Sequence, residues 1–306
     1  MIALCRAFVA LLVFVLVAAQ PSAQAQNYNY GINTHNLDAM TGGKVTGLGT
    51  GWVRLDFNWN QIQPVRGGPY NWPWSSVLEA RSRGLNIFAT LAYAPGWANG
   101  GQAGRFPPTA ANMQYWTAFC TAAAQTFAGD ISHWGMWNEP DSTSFLAQPS
   151  RYQELATTCR NAIKAVNSSL KVLGPEVSTG GVNSGFYRTA MQTYGHQVFD
   201  IVTVHYYWGE DNKWVDSWMD TKVKPYRYNK HVWMTETGRN YCDSKGQANH
   251  HQGVLERFQP RRSWWTKVFP YDLYRPSPDC SDAIVAPNQT NRPAYYTIRD
   301  WILGHP

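Results

Sequence analysis

Short apolar runs alternate along this chain with longer segments in which apolar residues recur at helical spacing. The runs that predict strands are Tyr28–His35, Gly51–Trp59, Leu85–Pro95, Ile131–Glu139, Lys171–Val177, Phe199–Trp208, His231–Gly238 and Lys267–Tyr274. Many of these runs are continuously apolar rather than alternating, which is typical of parallel strands buried on both faces.

Segments with helical spacing follow most of the predicted strands. The predicted helices cover residues 74–84, 110–127, 152–166, 185–194, 213–223, 249–265 and 294–302. Eight strand–helix units predict an α/β fold, a single-domain (β/α)8 TIM barrel. An open doubly wound sheet is the alternative. It would need a glycine-rich phosphate-binding turn after the first strand, and "THNLDAMTGGK" does not supply one.

The N-terminal segment has the layout of a secretory signal peptide. Arg6 precedes the apolar run "AFVALLVFVLVAA", and small residues stand at Ala23 and Ala25. The run is shorter than the roughly 20 residues that a membrane span needs, so we expect cleavage after Ala25 rather than retention as an anchor. Residues 1–25 are predicted to be signal peptide and residues 26–306 to be one barrel domain. The mature protein would be secreted or periplasmic, without a membrane span, and monomeric.

Four cysteines remain beyond the predicted signal peptide, an even number that suits disulfide formation in an oxidising compartment. We expect the pairs Cys120–Cys159 and Cys242–Cys280, because each would link neighbouring strand–helix units. Free buried thiols are the alternative. A zinc site is not expected, because no CxxC spacing occurs.

The formal net charge is +6, and the basic residues are scattered along the chain. This arrangement favours solubility, and we expect no nucleic-acid partner. The sequons that begin at Asn167 and Asn288 would carry sugars only in a host that glycosylates proteins.

Two glutamates end the fourth and seventh predicted strands. Because Pro140 disfavours helix at Glu139 in "WNEPD", we expect the chain to leave the strand at Glu139 in extended conformation. Glu236 in "MTETG" stands at the corresponding end of the seventh strand. Functional groups of such barrels lie at the carboxyl ends of the strands, so the two side chains are predicted to converge. Convergent carboxylates without a metal or cofactor motif indicate glycoside hydrolysis. A single glutamate in such a place is more often a surface or ion-paired residue.

These motifs resemble those of clan A of the retaining glycoside hydrolases. "WNEPD" and "TETG" carry the resemblance, and "GINTH", "WVRLDFNWNQIQP" and "GLNIFATLAYAPGWA" are most similar to bacterial enzymes of or near family 39. The resemblance covers nearly the whole mature chain. It implies that residues 26–306 are a catalytic domain in which Glu139 is the acid/base and Glu236 the nucleophile. It implies a secreted retaining β-glycosidase that acts on a polysaccharide or oligosaccharide by double displacement, with no cofactor and no metal.

Two geometric and electrostatic expectations follow from that mechanism. The carboxyl groups of a retaining enzyme lie about 5–5.5 Å apart, whereas those of an inverting enzyme lie about 6.5–9.5 Å apart. The acid/base is commonly the carboxyl with the higher pKa. We therefore expect the narrow separation and a pKa for Glu139 that is raised relative to that of Glu236.

The resemblance also assigns residues that would contact the substrate or the two glutamates. Asn138 would bond the sugar 2-hydroxyl, and Arg54 would favour the ionised nucleophile. Clan members usually end strand eight with a tryptophan, and this chain has "VFPYDLYR" there, so a tyrosine would take its place. The predicted substrate-binding residues are Arg54, Asn138, His205, Tyr207, His35, Trp97, Trp208, Tyr271 and Tyr274.

The chain is rich in aromatic residues, with 15 Trp and 17 Tyr. Sugar rings pack their C–H faces on aromatic planes, and the aromatics that follow strand ends, including Trp59 and Tyr206, predict a saccharide cleft. Trp52, Trp116 and Trp134 are predicted to lie in the core. The aromatics suit a catalytically silent carbohydrate-binding barrel equally well, although the paired glutamates argue against it. An exopolysaccharide-processing hydrolase tied to a synthesis machine is a further alternative.

Overall fold

A closed barrel of eight parallel strands forms the centre of the molecule, and the strands follow one another in chain order. The computed structural model describes residues 25–142, 149–207, 214–239, 244–277 and 280–306. The strands are β1 (Asn27–Asn33), β2 (Thr50–Asn58), β3 (Asn86–Ala92), β4 (His133–Met136), β5 (Lys171–Val177), β6 (Ile201–Tyr206), β7 (Val232–Thr237) and β8 (Trp265–Pro270). The predicted barrel is confirmed, since β8 also pairs with β1.

Helices surround the barrel, and every predicted helix overlaps an observed one. They are α1 (Ala39–Leu48), α2 (Trp59–Ile62), α3 (Trp74–Ser82), α4 (Gly96–Asn99), α5 (Met113–Thr126), α6 (Pro149–Val166), α7 (Thr179–Asn183), α8 (Phe186–Ala190), α9 (His196–Val198), α10 (Val215–Trp218), α11 (Ser244–Phe258) and α12 (Pro293–Gly304). Shorter 3-10 or π turns lie at Ala110–Asn112, Pro140–Ser142, Met191–Gly195, Met219–Val223, Lys224–Tyr226 and Gln259–Arg261. Across the described ranges, no helix combines the length and the apolar character needed to cross a membrane.

Helix α1 is an element that the hydrophobic pattern did not predict. Its sequence AMTGGKVTGL is rich in glycine, which weakens intrinsic helix propensity. Both ends of the helix are capped. At the start the Asp38 carboxylate accepts from the Thr41 amide, and at the end Gly49 adopts a left-handed conformation with φ 80°. The helix is therefore set by its caps more than by its periodicity.

A group of apolar side chains on the inner face fills the barrel below its mouth. This aromatic plug consists of Trp52, Phe88, Leu173, Trp233 and Phe269, all buried. It is separate from the main core between sheet and helices, as expected for the filled interior of such a barrel. The plug forms the floor on which the charged groups of the mouth rest.

Two aromatic residues predicted for the cleft lie in the core instead. Trp59 and Tyr206 are fully buried. Trp59 begins α2 and stacks on Phe119 of α5, with ring centroids 5.5 Å apart, while Tyr206 packs 5.1 Å from Trp218. That prediction was wrong because strand-end position alone does not separate cleft from helix packing. The three tryptophans predicted for the core are buried.

The structure confirms one predicted disulfide. Cys120 on α5 is bonded to Cys159 on α6, so the two helices that flank β4 in the chain are covalently joined. Cys280 is also disulfide-bonded, but its predicted partner Cys242 lies outside the described residues. A disulfide is compatible with an extracytoplasmic location. Residues 1–24 of the predicted signal peptide also lie outside the described residues.

Candidate active site

Arg54 on β2 lies buried at the centre of the barrel mouth. Its guanidinium donates to Glu236 Oε1 at 2.6 Å, to Glu176 Oε2 at 2.7 Å and to Asn138 Oδ1 at 2.8 Å. Burial works against the charge, but Glu176 and Glu236 raise the pKa of Arg54 above its usual value. A buried cation of this kind is tolerated because paired carboxylates compensate it.

Both oxygens of Glu236 on β7 are held by donors. Oε1 accepts from Arg54, and Oε2 accepts from the Tyr207 hydroxyl at 2.6 Å. The Tyr207 backbone amide in turn donates to the Thr179 hydroxyl oxygen at 2.8 Å, which fixes the tyrosine just beyond β6. Two donors to one carboxylate fix its orientation. Glu236 therefore has the surroundings of an oriented anion.

The chain carries Glu139 into the site through a turn rather than an extended exit. β4 ends at Met136, and Trp137 and Glu139 both have left-handed backbones, with φ 72° and φ 44°. The prediction of an extended Glu139 was wrong: Pro140 excludes right-handed helix at the preceding residue, but this chain satisfies that restriction with a left-handed residue. Non-glycine residues in this conformation are uncommon and are concentrated at functional sites.

Backbone and side-chain contacts hold the turn in place. The amide of Glu139 donates to the carbonyl of Glu176 at 3.0 Å. The buried Asp141 accepts from the Ser178 amide at 2.9 Å and from the Ser178 hydroxyl. The segment after β4 is thereby tied to the start of α7, and the position of the Glu139 side chain is fixed from below.

His205 on β6 lies between the carboxylates and is fully buried. Its Nδ1 lies 3.1 Å from Glu139 Oε1 and 3.6 Å from Glu236 Oε2, and its Nε2 lies 3.9 Å from Glu176 Oε2. Burial lowers the pKa of His205, but the charge of Glu236 and the hydrogen bond to Glu139 outweigh it and raise the pKa to about 10. His205 is therefore a cation near neutral pH.

The pKa of Glu139 is lowered from its ordinary value. Burial raises it, but the hydrogen bond and charge of His205 prevail. The expected difference between Glu139 and Glu236 stays a prediction.

Glu139, His205 and Glu236 form a compact trio. One ligating atom from each lies within 4.8 Å of the other two. The trio has atom types that could also hold a metal ion, but the Arg54 and His205 contacts already place positive charge against these carboxylates. The arrangement suits proton transfer and nucleophilic attack on opposite sides of one bond.

A third carboxylate, Glu176 on β5, was missed by the sequence analysis. It is fully buried below the trio and bonds Arg54, and the Thr90 hydroxyl lies 3.3 Å from both of its oxygens. The space it occupies exists because Gly135 on β4 has no side chain: a Cβ there would lie 2.0 Å from Glu176 Oε1. The available signal was an isolated charge in the apolar run "KVLGPEV", since such a charge is costly unless it is paired.

Two amide or hydroxyl groups of the site were also missed. Asn33, at the end of β1, accepts from Arg54 at 2.9 Å and donates to the carbonyls of Thr235 and Pro270. Tyr93, just after β3, accepts from Asn138 Nδ2 at 3.0 Å. Both follow the rule that the ends of the strands supply the site.

The other predicted residues divide into three groups. Tyr271 and His35 connect to the trio through Tyr207, because the Tyr271 ring contacts the Tyr207 ring and the Tyr271 hydroxyl lies 3.2 Å from His35 Nε2. Trp97 donates to the carbonyl of residue 63, and Tyr274 donates to that of residue 287. Among the described residues, neither contacts the trio. Trp208 lies outside the described residues.

A closed (β/α)8 barrel with paired carboxylates at its mouth is an arrangement that suits glycoside hydrolysis. Residues 69–282 match the sequence profile described as "Glycosyl hydrolase catalytic core". The match covers well over half of the chain, so this chain belongs to that family. No curated protein matches the sequence.

Solved structures show the same fold at low identity. A family 39 glycoside hydrolase from Bacteroides cellulosilyticus WH2 is 18% identical, with a TM-score of 0.70 over 90% of this chain and 63% of its own. The exo-β-1,4-mannosidase Op5Man5 from Opitutaceae bacterium strain TAV5 is 14% identical, with a TM-score of 0.69 over 94% and 62%. A monomeric β-xylosidase from Caulobacter crescentus CB15 is 16% identical, with a TM-score of 0.66 over 89% and 67%. This chain thus spans less than two thirds of the length of the first two.

Proposed function

We propose that this protein is an exported retaining β-glycosidase in which Glu236 attacks the anomeric carbon and Glu139 transfers the proton. The observation that carries the proposal is the convergence of Glu139, His205 and Glu236 to within 4.8 Å. Retaining enzymes hold their carboxyl groups about 5–5.5 Å apart, and inverting enzymes keep about 6.5–9.5 Å to admit a water molecule. The close approach favours a covalent glycosyl-enzyme over direct attack by water.

Glu236 is well placed for the nucleophilic step. Arg54 and Tyr207 each hold one of its oxygens, which fixes its orientation. A bond forms between a Glu236 oxygen and the anomeric carbon while the bond to the leaving oxygen breaks. Asn138, held through its Oδ1 by Arg54, keeps an amide donor available to a sugar hydroxyl.

The proton reaches the leaving group through Glu139. In the unliganded site the proton belongs to His205, whose pKa is about 10 because Glu236 is charged and Glu139 is hydrogen-bonded to it. As Glu236 becomes an ester its charge disappears, so the pKa of His205 falls and the proton passes through Glu139 to the leaving oxygen. In the second step Glu139 takes a proton from water, and the water oxygen bonds to the anomeric carbon as the bond from that carbon to Glu236 breaks. Glu236 becomes a carboxylate again, and the proton passes from Glu139 to His205.

The proposed substrate is a β-linked oligosaccharide or polysaccharide. The structural neighbours include a β-1,4-mannosidase and a β-xylosidase, and these names supply the first sugars to test. Export is supported by the signal-peptide layout of residues 1–25 and by the Cys120–Cys159 disulfide. A monomeric neighbour supports a monomer.

The proposal is tested with aryl β-glycosides of xylose, mannose and glucose. We expect the first-formed sugar to be the β anomer by proton NMR, and Glu236→Ala to lower kcat by about four orders of magnitude. Azide should restore turnover of Glu236→Ala and yield an α-glycosyl azide. The matched control is Glu256→Ala, a half-exposed glutamate on α11. Undiminished activity in Glu236→Ala, or an α-anomeric first product in the wild type, would overturn the assignment.

A further inference from the structure

A polar cavity of about 480 Å³ opens at the carboxyl ends of β1 and β2. Its volume lies within the roughly 300–1,000 Å³ that small-molecule sites occupy. Hydrophilic side chains from β1, β2, α2 and the start of α3 line it, among them His35, Asp56, Asn58, Gln61, Asn71 and Ser75.

A series of side-chain contacts connects the cavity to the active site. His35 Nδ1 lies 2.7 Å from Asp56 Oδ2, and His35 Nε2 lies 3.2 Å from the Tyr271 hydroxyl. The Tyr271 ring contacts the ring of Tyr207, which bonds the proposed nucleophile. The His35–Asp56 pair therefore lines the cavity on the side that faces Tyr271 and the proposed nucleophile.

The lining offers hydrogen bonds and no excess charge. The negative charge of Asp56 is balanced by His35. Hydrogen bonds to Asp272 and Asp56 raise the pKa of His35 to about 9. Within the described ranges, the side chains of Asn71 and Ser75 have no hydrogen-bond partner, and Asn58 reaches Gln61 only at 3.4 Å. Amides and hydroxyls both donate and accept, which matches the hydroxyl groups of a neutral sugar.

The position of the cavity assigns it to one side of the scissile bond. Glu139 follows β4 and is held by the carbonyl of Glu176 on β5 and by His205 on β6. In a ring of eight strands β5 stands opposite β1. Because the leaving group departs on the side of the acid/base, a cavity at β1 and β2 lies on the side of the glycone.

We propose that this cavity is a second glycone subsite that binds a neutral sugar, so that the enzyme prefers to transfer a disaccharide or a longer unit rather than a single sugar. This inference rests on the proposed glycoside hydrolysis. It distinguishes a chain-trimming or internally cleaving enzyme from one that removes single terminal sugars.

The test compares 4-nitrophenyl β-glycosides that differ only by one sugar on the glycone side: xyloside with xylobioside, mannoside with β-1,4-mannobioside, and glucoside with cellobioside. For the sugar that the enzyme accepts, we expect kcat/KM to be at least about tenfold higher for the disaccharide glycoside than for the monosaccharide glycoside. The release of 4-nitrophenol measures the rate. Chromatography verifies that the disaccharide is released intact. Gln61→Ala and Asn71→Ala should each reduce that advantage roughly three- to tenfold, as expected for a lost neutral hydrogen bond. Neither should change kcat/KM for the monosaccharide glycoside.

The control is Gln192→Ala, an exposed amide on another face, which should leave both values unchanged. Cleavage of a monosaccharide glycoside at the same efficiency as its disaccharide overturns the subsite while leaving the hydrolase assignment intact. Equal losses on both substrates in Gln61→Ala and Asn71→Ala also overturn it, because they would report a general structural effect. If no glycoside is cleaved, the proposed function fails and the subsite fails with it.

Discussion

The two ends of the barrel interior bury different kinds of side chain: paired charges at the mouth and apolar groups below it. At the mouth, three carboxylates are compensated by Arg54 and His205 through contacts of 2.6 to 3.9 Å. Below them, the aromatic plug contains no charged residue of its own. Lys267 approaches it, with Nζ 4.8 Å from the Trp52 ring and 5.1 Å from the Trp233 ring. The ends are in contact, since the Arg54 guanidinium lies 5.7 Å from the Phe88 ring.

Single strands carry both kinds of residue, one that contributes to stability and one that belongs to the charged mouth. β2 carries Trp52 and, two residues later, Arg54, while β7 carries Trp233 and, three residues later, Glu236. Apolar burial is non-directional and tolerates no cavity, whereas the charged mouth depends on the geometry of each pair. Changes in the plug should therefore unfold the protein without altering the chemistry, and changes at the mouth should do the reverse.

The largest expected effect is on the plug. Trp233→Ala should lower the free energy of unfolding by about 3–5 kcal/mol, the usual cost of removing a buried tryptophan, while kcat of the folded enzyme stays near the wild-type value. Urea unfolding and activity well below the transition measure the two quantities. Trp214→Ala, which truncates a largely exposed tryptophan, is the control and should cost about 0.5 kcal/mol or less. A stable but inactive Trp233→Ala would contradict the separation.

At the mouth, Glu176→Gln should lower kcat/KM by about 10- to 100-fold, because a charge-assisted hydrogen bond worth about 1.5–3 kcal/mol is lost from Arg54. The hydrogen bond of Glu176 is also one of the influences that raise the pKa of His205. The alkaline limb of the pH–rate profile should therefore move to lower pH, a change that simple loosening of the structure would not produce. An unshifted profile would show that Glu176 acts only through packing.

His205 makes the mouth lose stability in alkali. Its folded-state pKa of about 10 lies above the ordinary value of 6.5, so its contribution is complete below pH 6.5 and disappears as the pH rises through 10. His205→Asn should flatten the decline in unfolding free energy over that interval by at most about 1.4 kcal/mol per pH unit. Chemical denaturation at pH 6, 8 and 10 tests this, and an identical slope in the variant would refute it.

Lys267 should give a smaller effect of opposite sign. Burial lowers its pKa from 10.5 to about 8, so the folded state disfavours its charge below pH 8 and gains stability as the pH rises toward 10.5. Lys267→Met should remove that gain and be neutral or mildly stabilising at pH 7. Comparing the thermal midpoints of wild type and Lys267→Met at pH 7 and 10 measures it. A variant that is less stable at both values would show that the hydrogen bond from Lys267 to the Tyr28 carbonyl outweighs the burial of its charge.

The strands were accessible from the sequence because apolar runs report burial directly. The pair Glu139 and Glu236 was accessible because each stands at a strand end beside a turn residue. Helix α1 was not, since its caps rather than its periodicity define it. Periodicity also says nothing about whether a strand-end aromatic such as Trp59 turns into the cleft or against a helix.

The electrostatics of the site were the least predictable part. Glu176 lies within an apolar run, and its role depends on an arginine 122 residues away in the chain. The pKa of Glu139 depends on contact with His205, which strand order brings near but sequence spacing does not measure. Long-range pairing of charges is a property of the closed barrel rather than of any local segment.

The missing Cβ of Gly135 links two positions that are 41 residues apart in the sequence. An alanine at position 135 would require the Glu176 carboxylate to move. Because Glu176 also bonds Arg54, we expect a substitution at either position to require a substitution at the other. Homologous chains should consequently fall into two sorts, those that keep both the glycine and the acid and those that have exchanged both together. That joint inheritance would mark which descendants of this barrel retain the same buried charge network.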